Sequence, residues 1–572
     1  MKFIQESHEK TKVELIEEYM TTINHIVVFV FLSCMLGVFP LYYKEQYNKI
    51  GDAKFDFFWM VSLGFIAITL VIFCVKMILS RMRKTKSNGA GQKKKKTILG
   101  IFLDNLSGLD YAVFIYAICV LLSYLYSDFK EFAWKGAPGW EMGLCSQLIF
   151  VAIYFILSRQ NLLESIFPSK KKMPKKGVVL RQRNYVIIIL VIHLVSSVLT
   201  FIFGILHRFD IDPLGMYVGL DIYQKIEFLS TIGQATWFSS YVCTVFAVGV
   251  TIFYTSRHKG VRIMTGIYSA LSFGILVTQN SDSAFIAIMG VMLLLGYLSL
   301  SDREKWCRFW EIICLMWGTF GGIGILQRIF AERRIPLDSL SVFFSQSVIT
   351  WVMFAVSIVL MLFYKYGCKS DILWKRITKE IYEDMVLCIV AAVIVISVFI
   401  YLNTKGYLLK WFGYQSMHPY LFFDYHWGSN RGSTWMVCWQ AFTQMPLYQK
   451  LFGVGPDSLW AYFNSVPEIK DFLYSLWGSL RVTNAHNEYL NGLLCYGIVG
   501  VSAWLAVLIG GIVHFYNRAK ENPFMIAFAL CIMGYACHNI FCYQQVCCTP
   551  FLFLALGIGE SLTKSENFNT IK

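Results

Sequence analysis

Arg431, Arg481 and His486 are the side chains of this sequence best suited to chemistry, and they share one polar and aromatic stretch between apolar segments. An arginine holds an anion such as a phosphate through a planar, two-pronged set of N–H donors. A histidine can accept a proton near neutral pH. Their spacing alone therefore indicates an anionic ligand next to a proton acceptor, and nothing more specific.

The residues around Arg431 predict a short helix that begins at this arginine. Apolar side chains recur at helical spacing from Trp435 onward, and Pro446 ends the pattern because a proline disfavours helical backbone in the residue before it. A helix N-terminus favours an anion, so an arginine beside it makes a phosphate site plausible. The following Gly453-Val454-Gly455 predicts a turn where backbone approaches a ligand closely, although one such glycine pair is weak evidence.

His486 and Asn487 open the next apolar segment. Two interpretations stay open for this histidine: a structural hydrogen-bond donor at the mouth of a helix, or a functional group. Polar side chains at membrane depth usually face a cavity and are read as functional by default.

Aromatic side chains are dense between Leu402 and Tyr425. The first interpretation is an interfacial belt, in which each ring keeps one edge in lipid and one in water. The second is a platform for sugar rings, and the two are compatible. The aromatic residues concerned are Tyr407, Trp411, Phe412, Tyr414, Tyr420, Phe422, Phe423 and Tyr425.

The elements that must position these residues are membrane helices. The 572-residue chain is 56% hydrophobic and 15% charged, with a mean hydropathy of +0.54, whereas soluble domains are about 25% charged. Because lipid offers no partner to backbone groups, each long apolar run must be a helix. The runs are 23–43, 56–79, 109–127, 140–160, 184–206, 232–255, 261–279, 283–300, 307–330, 341–364, 383–403, 487–513, 523–541 and 547–563. The sequence thus predicts an all-α polytopic membrane protein with about 12–14 transmembrane helices.

Lysine and arginine placement predicts the orientation. The basic clusters around residues 81–96, 170–183 and 365–379 fall on one side if every run crosses the membrane, and this side is expected to be cytoplasmic together with both termini. The opposite, outer side then carries residues 404–486, the one long loop. The net charge of +15 is read as cytoplasmic anchoring, not as a nucleic-acid surface, because the lysines flank spans.

The 16 cysteines predict neither a disulfide scaffold nor a metal centre. Most lie inside apolar runs, where a thiol behaves as a small hydrophobic group. The group Cys537, Cys542, Cys547 and Cys548 lacks the paired spacing typical of zinc sites. We expect no metal and no cofactor.

The order of the motifs resembles the O-antigen ligase and polymerase superfamily of bacterial envelope proteins. The resemblance rests on Arg-x3-Trp at 431–435, Phe-Gly-x-Gly at 452–455, His-Asn-x-Tyr-Leu at 486–490 and Tyr-Gly-Ile-Val-Gly at 496–500. Weaker likenesses are Gly-Gln-Ala-Thr-Trp-Phe-Ser-Ser at 233–240 and Thr-Gln-Asn-Ser-Asp-Ser-Ala at 278–284. The likeness covers roughly residues 185 to 560.

This resemblance implies a GT-C-like glycosyltransferase of the bacterial inner or plasma membrane. Such an enzyme moves a glycan from an undecaprenyl-diphosphate carrier to an acceptor hydroxyl, on a glycan or a lipid anchor, with inversion and without a metal. Arg431 matches the arginine thought to hold the diphosphate, and His486 the histidine thought to take the acceptor proton. Asp282 stands where an arginine is usual, so it would bind a sugar hydroxyl or orient a cation instead.

The candidate substrate-binding set is wider than these residues. Arg481, Arg333 and Arg334 are the candidates to replace the missing arginine, and Trp435, Gly453, Gly455 and Asn487 complete the set.

The expected organisation has four parts, and two further functional classes stay open. The parts are N-terminal transmembrane helices (1–183), a central bundle (184–403), an extracytoplasmic catalytic loop (404–486) and C-terminal transmembrane helices (487–572). A flippase for lipid-linked glycans would place charges deep within spans and often shows two repeated halves. A non-enzymatic assembly or sensor protein would bind the lipid-linked glycan without releasing undecaprenyl diphosphate. Ligase and polymerase differ only in the acceptor.

Overall fold

Helices dominate the computed structural model, which describes residues 12–86, 106–160, 162, 175–367, 371–478 and 482–564. The first half comprises α1 (Lys12–Ser33), a π-helical turn (Cys34–Val38), α2 (Phe39–Leu41), α3 (Ile50–Lys86), α4 (Gly108–Tyr126), α5 (Lys130–Lys135), α6 (Leu144–Ser158), α7 (Lys175–His207), α8 (Ile222–Glu227), α9 (Ala235–Thr255) and α10 (Lys259–Thr278). Between α8 and α9, strands β1 (Phe228–Leu229) and β2 (Gly233–Gln234) pair antiparallel, with Phe228 opposite Gln234.

The second half begins with the short apolar helix at Asp282. It comprises α11 (Ser283–Ser299), α12 (Arg303–Ile329), α13 (Ser339–Gln346), α14 (Val348–Leu362) with a π-helical turn (Phe363–Gly367), α15 (Asp371–Thr404), α16 (Tyr407–Phe412), α17 (Trp427–Gln444), α18 (Leu447–Phe452), α19 (Leu459–Ser465), α20 (Pro467–Trp477), α21 (Glu488–Arg518), α22 (Met525–His538) and α23 (Thr549–Lys564).

Ten of the described helices are long and apolar enough to cross a membrane, and α6, α11 and α22 are shorter apolar helices. The prediction of an all-α polytopic membrane protein is therefore confirmed. Each predicted apolar run coincides with a helix, but the run 341–364 is divided between α13 and α14 at Ser347. Helix α9 is the most buried of these spans and packs against α10 and α22, whereas α15 lies at the periphery of the bundle.

The predicted span at 487–513 is not one straight helix, because α21 is broken at Gly497. The backbone there has φ 70° and ψ −176°, a region essentially restricted to glycine. A Cβ atom at Gly497 would lie 2.3 Å from the carbonyl of Leu451, so α18 packs directly onto the break. The first turns of α21 consequently take a direction of their own, and they carry the residues that follow His486.

We expect Gly497→Ala to destabilise the folded protein by about 1–3 kcal/mol, because an alanine there is both strained and in collision with backbone. Thermal unfolding of the purified protein should show a lower midpoint. The matched control is Gly510→Ala in the same helix, where an added Cβ meets no atom within 4 Å and where alanine favours the helix. Equal midpoints for the two variants would contradict this account of the break.

A polar network at one end of the bundle ties α4, α6 and α23 together. The buried carboxylate of Asp110 accepts hydrogen bonds from Tyr154 at 2.9 Å and from Lys564 at 2.6 Å, and pairs with Arg159 at 3.1 Å. Lys564 also pairs with Glu560 at 2.8 Å. The charges neutralise one another, which is the condition for keeping them inside a helical bundle.

The described part of the segment between α15 and α21 folds into five helices, α16 to α20. The segment is tied to the span before it, because the side chain of Asn403 at the end of α15 donates to the carbonyls of Ser416 and Leu421 at 2.8 Å each. The loop is therefore fixed to the helix beneath it.

Candidate active site

Arg431 is presented by a strained turn at the beginning of α17. Gly428, Ser429 and Asn430 all have positive φ, and regular helix starts at Arg431 as predicted. The guanidinium donates from Nη1 to the carbonyl of Gly428 at 2.8 Å and lies over the ring of Phe541 at 5.9 Å. Its buried Nε has no hydrogen-bond partner among the residues that the structure describes. A largely buried guanidinium with unused donors is suited to an anionic ligand.

Trp435, one turn further along α17, connects this arginine to the His486 loop. Its indole Nε1 donates to the carbonyl of Ala485 at 3.0 Å, and its ring stacks on Phe541 with centroids 5.6 Å apart. The ring therefore fixes the backbone directly before His486. The assignment of Trp435 to the site stays a prediction, and these contacts favour a positioning role for it.

His486 is half-buried and sits on left-handed backbone with φ 47°. The backbone N–H of His486 donates to Asn484 Oδ1 at 3.0 Å, and its ring meets the ring of Tyr543 edge to face, with centroids 5.3 Å apart. In the described part of the chain, no hydrogen bond occupies either ring nitrogen. Burial, and then the charge of Arg431, lower the pKa of His486 to about 4. The imidazole is therefore neutral near pH 7 and can accept a proton.

Asp282 lies near Arg431, although about 150 residues of sequence separate the two. Its Oδ2 accepts a hydrogen bond from Tyr420 at 3.0 Å, and its buried Oδ1 has no hydrogen-bond partner within the described ranges of the chain. Burial raises the pKa of the Asp282 carboxyl, opposed by Tyr420 and Arg431. Burial, together with Asp282, also raises the pKa of Asp338 to about 6. The aspartate thus adds negative charge where the resemblance implied a second cation.

Arg208 holds the loop that carries Asp282, and sequence reasoning did not single it out. The side chain is fully buried and donates to the carbonyls of Thr278 at 2.7 Å and Gln279 at 3.0 Å, and to those of Lys225 and Ile226. Because these donors are taken by backbone, Arg208 shapes the loop and is not a substitute for the missing arginine.

A second histidine, His538, also belongs to this region and was missed. Asn539 donates through Nδ2 to Glu488, so its Oδ1 faces His538 Nδ1 at 3.2 Å and assigns the proton to that nitrogen. His538 Nε2 then accepts from one of the hydroxyls of Ser239 and Ser283, which both lie 2.9 Å from it. The sequence signal that could have identified this histidine is the pair of polar residues His538 and Asn539 at the end of an apolar run.

The structure does not bring Arg333 and Arg334 into this cluster. Both are exposed in the turn after α12, where Arg334 Nη1 lies 3.4 Å from the carbonyl of Gln327. Arg481, the third candidate for the missing contact, lies outside the described residues. No described contact joins either exposed arginine to Arg431, so the proposed replacement by Arg333 or Arg334 is not supported by the geometry.

Gly453 and Gly455 lie against protein atoms in the described part of the chain. A Cβ at Gly453 would lie 2.2 Å from the carbonyl oxygen of Cys495, so this glycine allows the turn after α18 to pack on α21. A Cβ at Gly455 would instead lie 2.4 Å from the hydroxyl of Ser127, which follows α4, while its N–H donates to the carbonyl of Cys495 at 3.0 Å. These contacts account for both glycines by packing, and a ligand contact stays a prediction. Asn487 likewise serves the helix, because its side-chain oxygen caps α21 by accepting from the N–H of Leu490 at 2.9 Å.

We expect Trp435→Phe to keep the ring packing but to lower the activity of the site several-fold, because the hydrogen bond to the Ala485 carbonyl is lost, a contribution of about 0.5–1.5 kcal/mol. The pH at which activity halves should also shift, because a change in the burial of His486 would change the pKa of its imidazole. Trp439→Phe, at an exposed ring of the same helix, is the control. A rate and pH profile equal to those of the control would remove the positioning role.

The comparisons with known proteins fit this geometry. Residues 335–505 match the model of the O-antigen ligase family, a range that contains Arg431, Trp435 and His486. Over this range the chain is similar to the O-antigen ligase family, which confirms the resemblance seen in the motifs. No curated protein matches the chain. The family supports glycan transfer in polysaccharide assembly by a multi-pass membrane protein.

Proposed function

We propose that this protein transfers a glycan from an undecaprenyl-diphosphate carrier to an acceptor hydroxyl at the outer face of the bacterial cell membrane. The observation that carries the proposal is the proximity of Arg431 and His486. Within the described part of the chain, the half-buried guanidinium of Arg431 has no partner at Nε, and the imidazole of His486, whose pKa is lowered, has no hydrogen bond at either ring nitrogen. The family match provides the glycan chemistry.

The reaction is a single displacement with inversion. The acceptor oxygen forms a bond to the anomeric carbon while the bond from that carbon to the diphosphate oxygen breaks. The acceptor proton passes to His486, and undecaprenyl diphosphate leaves with the bonding electron pair. Arg431 stabilises the charge that develops on this leaving group through preorganised donors, so the proposal needs no metal.

Donor binding would make His486 a stronger base. The positive charge of Arg431 contributes to the low pKa of this histidine. A bound diphosphate would offset that charge and bring negative charge next to the imidazole, and both changes raise the pKa. The base therefore gains strength when the donor is in place.

We expect the pH dependence of kcat/KM, which reports the free protein, to be flat from neutral pH down to about pH 5. Activity should fall as the pH drops through about 4, where His486 of the free protein takes up a proton. The acid limb of kcat, which reports the donor complex, should lie at a higher pH. Recovery of activity after return to pH 7 controls for unfolding, and an acid limb of kcat/KM near the ordinary value of about 6.5 would contradict the depressed pKa.

The direct test mixes the purified protein with a defined undecaprenyl-diphosphate oligosaccharide and candidate acceptors. Transfer requires release of undecaprenyl diphosphate together with a lengthened acceptor. Lengthening of a repeat unit identifies a polymerase, and modification of a different anchor identifies a ligase. Binding of the lipid-linked glycan without release of the carrier would reject the proposal and favour an assembly protein.

A further inference from the structure

The imidazole of His486 must point at the acceptor hydroxyl in the reaction proposed above, because a general base acts only within hydrogen-bond reach of the proton that it takes. A histidine base is commonly oriented by a hydrogen bond at its other ring nitrogen. Within the part of the chain that the structure describes, neither ring nitrogen of His486 has such a bond. The orientation of this imidazole therefore depends on packing.

The ring of Tyr543 provides this packing. It meets the imidazole at an interplanar angle of 89°, with centroids 5.3 Å apart, which is the edge-to-face arrangement that aromatic rings favour. Tyr543 is 3% exposed, and burial raises the pKa of its hydroxyl well above the ordinary value. The hydroxyl is therefore neutral near pH 7 and does not compete with His486 for the acceptor's proton.

Two tryptophans fix the position of Tyr543. Trp140 meets its ring at 81°, with centroids 5.2 Å apart, and Trp237 donates from Nε1 to its hydroxyl at 3.3 Å. The two indoles also meet each other at 82°, with centroids 5.3 Å apart. Trp140, Trp237 and Tyr543, called the aromatic cluster below, consequently constrain one another.

The aromatic cluster is anchored to three separate segments. Its tyrosine follows α22, Trp237 lies in the first turn of α9, and Trp140 lies in the loop between α5 and α6. Asp457 holds this loop, because its Oδ2 accepts from the backbone N–H groups of Ala137 at 2.8 Å and Met142 at 3.1 Å. A side chain whose neighbours are themselves fixed can hold a catalytic group within the narrow limits of geometry that catalysis requires.

We propose that Tyr543 is a positioning residue whose ring orients the imidazole of His486 toward the acceptor hydroxyl, while Trp140 and Trp237 hold that ring in place. The inference rests on the proposed glycan transfer. Packing against an aromatic ring takes the part that an orienting hydrogen bond plays for other histidine bases. Tyr543 acts only through His486, so the assignment can be tested by combining substitutions of these two residues.

Tyr543→Leu is expected to lower the kcat of glycan transfer by about 10²-fold, the loss that a displacement of about 1 Å can cause at a positioned group. The KM for the lipid-linked donor should not change, because Arg431 is untouched. Tyr543→Phe keeps the aromatic ring and loses one hydrogen bond, so its kcat should fall by no more than about tenfold. Tyr474→Leu, at a tyrosine of α20 that is 63% exposed, is the matched control and should leave both constants unchanged.

Combination with His486→Asn distinguishes a positioning role from a merely structural one. If Tyr543 acts through the imidazole, Tyr543→Leu should cause no further loss of kcat when His486 is already asparagine. A further loss of about 10²-fold in the double variant, or a normal kcat in Tyr543→Leu alone, would overturn the inference while leaving the proposed reaction intact. Absence of carrier release by the unsubstituted protein would reject the proposed reaction instead.

The pKa of His486, measured by NMR of histidine-labelled protein, tests the same contact without any turnover. The signal of His486 is identified by its loss in His486→Asn. We expect a pKa of about 4 in the unsubstituted protein and in Tyr543→Phe. In Tyr543→Leu the pKa should rise toward the ordinary value of about 6.5, because loss of the ring exposes the imidazole to water.

Trp140→Leu, at a half-buried ring of a loop, loosens Tyr543 without removing it. It should raise the pKa of His486 by less than Tyr543→Leu does, and it serves as the test if Tyr543→Leu does not fold. An unchanged pKa of His486 in the leucine variants that fold would show that the aromatic cluster does not hold the imidazole, and the inference would then be wrong whether or not glycan is transferred.

Discussion

His486→Ala is expected to lower the rate of glycan transfer by about 10²–10⁴-fold, the usual contribution of a general base. The acceptor hydroxyl is a poor nucleophile and needs a base. In the part of the chain that the structure describes, neither ring nitrogen of His486 is engaged in a hydrogen bond. The rate is measured as release of undecaprenyl diphosphate from the lipid-linked glycan. Binding of the lipid-linked donor should persist, because Arg431 remains in place.

The backbone at residue 486 dictates the control for this variant. Its φ of 47° is unfavourable for alanine but is tolerated by asparagine. His486→Asn therefore removes the imidazole while keeping the left-handed conformation. If the asparagine variant transferred glycan at the normal rate while the alanine variant did not, the effect would belong to the backbone and His486 would not be the base.

Arg431→Ala is expected to lower the rate of transfer by about 10²–10³-fold, the usual cost of losing one preorganised donor to a developing anion. Donor binding should weaken as well, which distinguishes this variant from His486→Ala. Arg431→Lys should recover only part of the activity, because an ammonium group lacks the two-pronged geometry of a guanidinium. Initial rates and binding of the lipid-linked donor are the two measurements.

Lys410→Ala removes a positive charge from an exposed position of the same loop and is the matched control for Arg431→Ala. It should leave rate and donor binding unchanged. Unaltered thermal unfolding of the Arg431 variants would show that the fold is kept. A normal rate in Arg431→Ala would remove this arginine from the reaction, and an equal loss in Lys410→Ala would reduce its effect to general charge.

Local patterns in the sequence were sufficient for the helices. Lipid provides no hydrogen-bond partner, so apolar runs had to become helices, and they did. The start of the regular part of α17 at Arg431 and the end of this helix before Pro446 were also predictable, because both signals lie within a few residues of the boundary. The break of α21 at Gly497 was not, since a single glycine within an apolar run is compatible with a continuous helix.

Part of the candidate site was also predictable from local sequence, and part was not. Residue type and motif order indicated Arg431 and His486, which the structure places near one another. Their surroundings come from distant segments: Phe541 and Tyr543 follow α22, and Asp282 precedes α11. Such neighbours are set by how whole helices pack, and no local pattern encodes them. Gly453, Gly455 and Asn487 show the converse, because their residue types suited a ligand while packing and capping account for the described contacts.

The sequence by itself determined a helical membrane protein whose arginine and histidine motifs resemble one glycan-transferring superfamily, because hydrophobic runs and short motifs are local properties. Only the tertiary structure decided that burial and a neighbouring arginine lower the pKa of the histidine, and that an aspartate lies near this arginine. The physical reason is that burial and charge proximity arise from segments far apart in the chain.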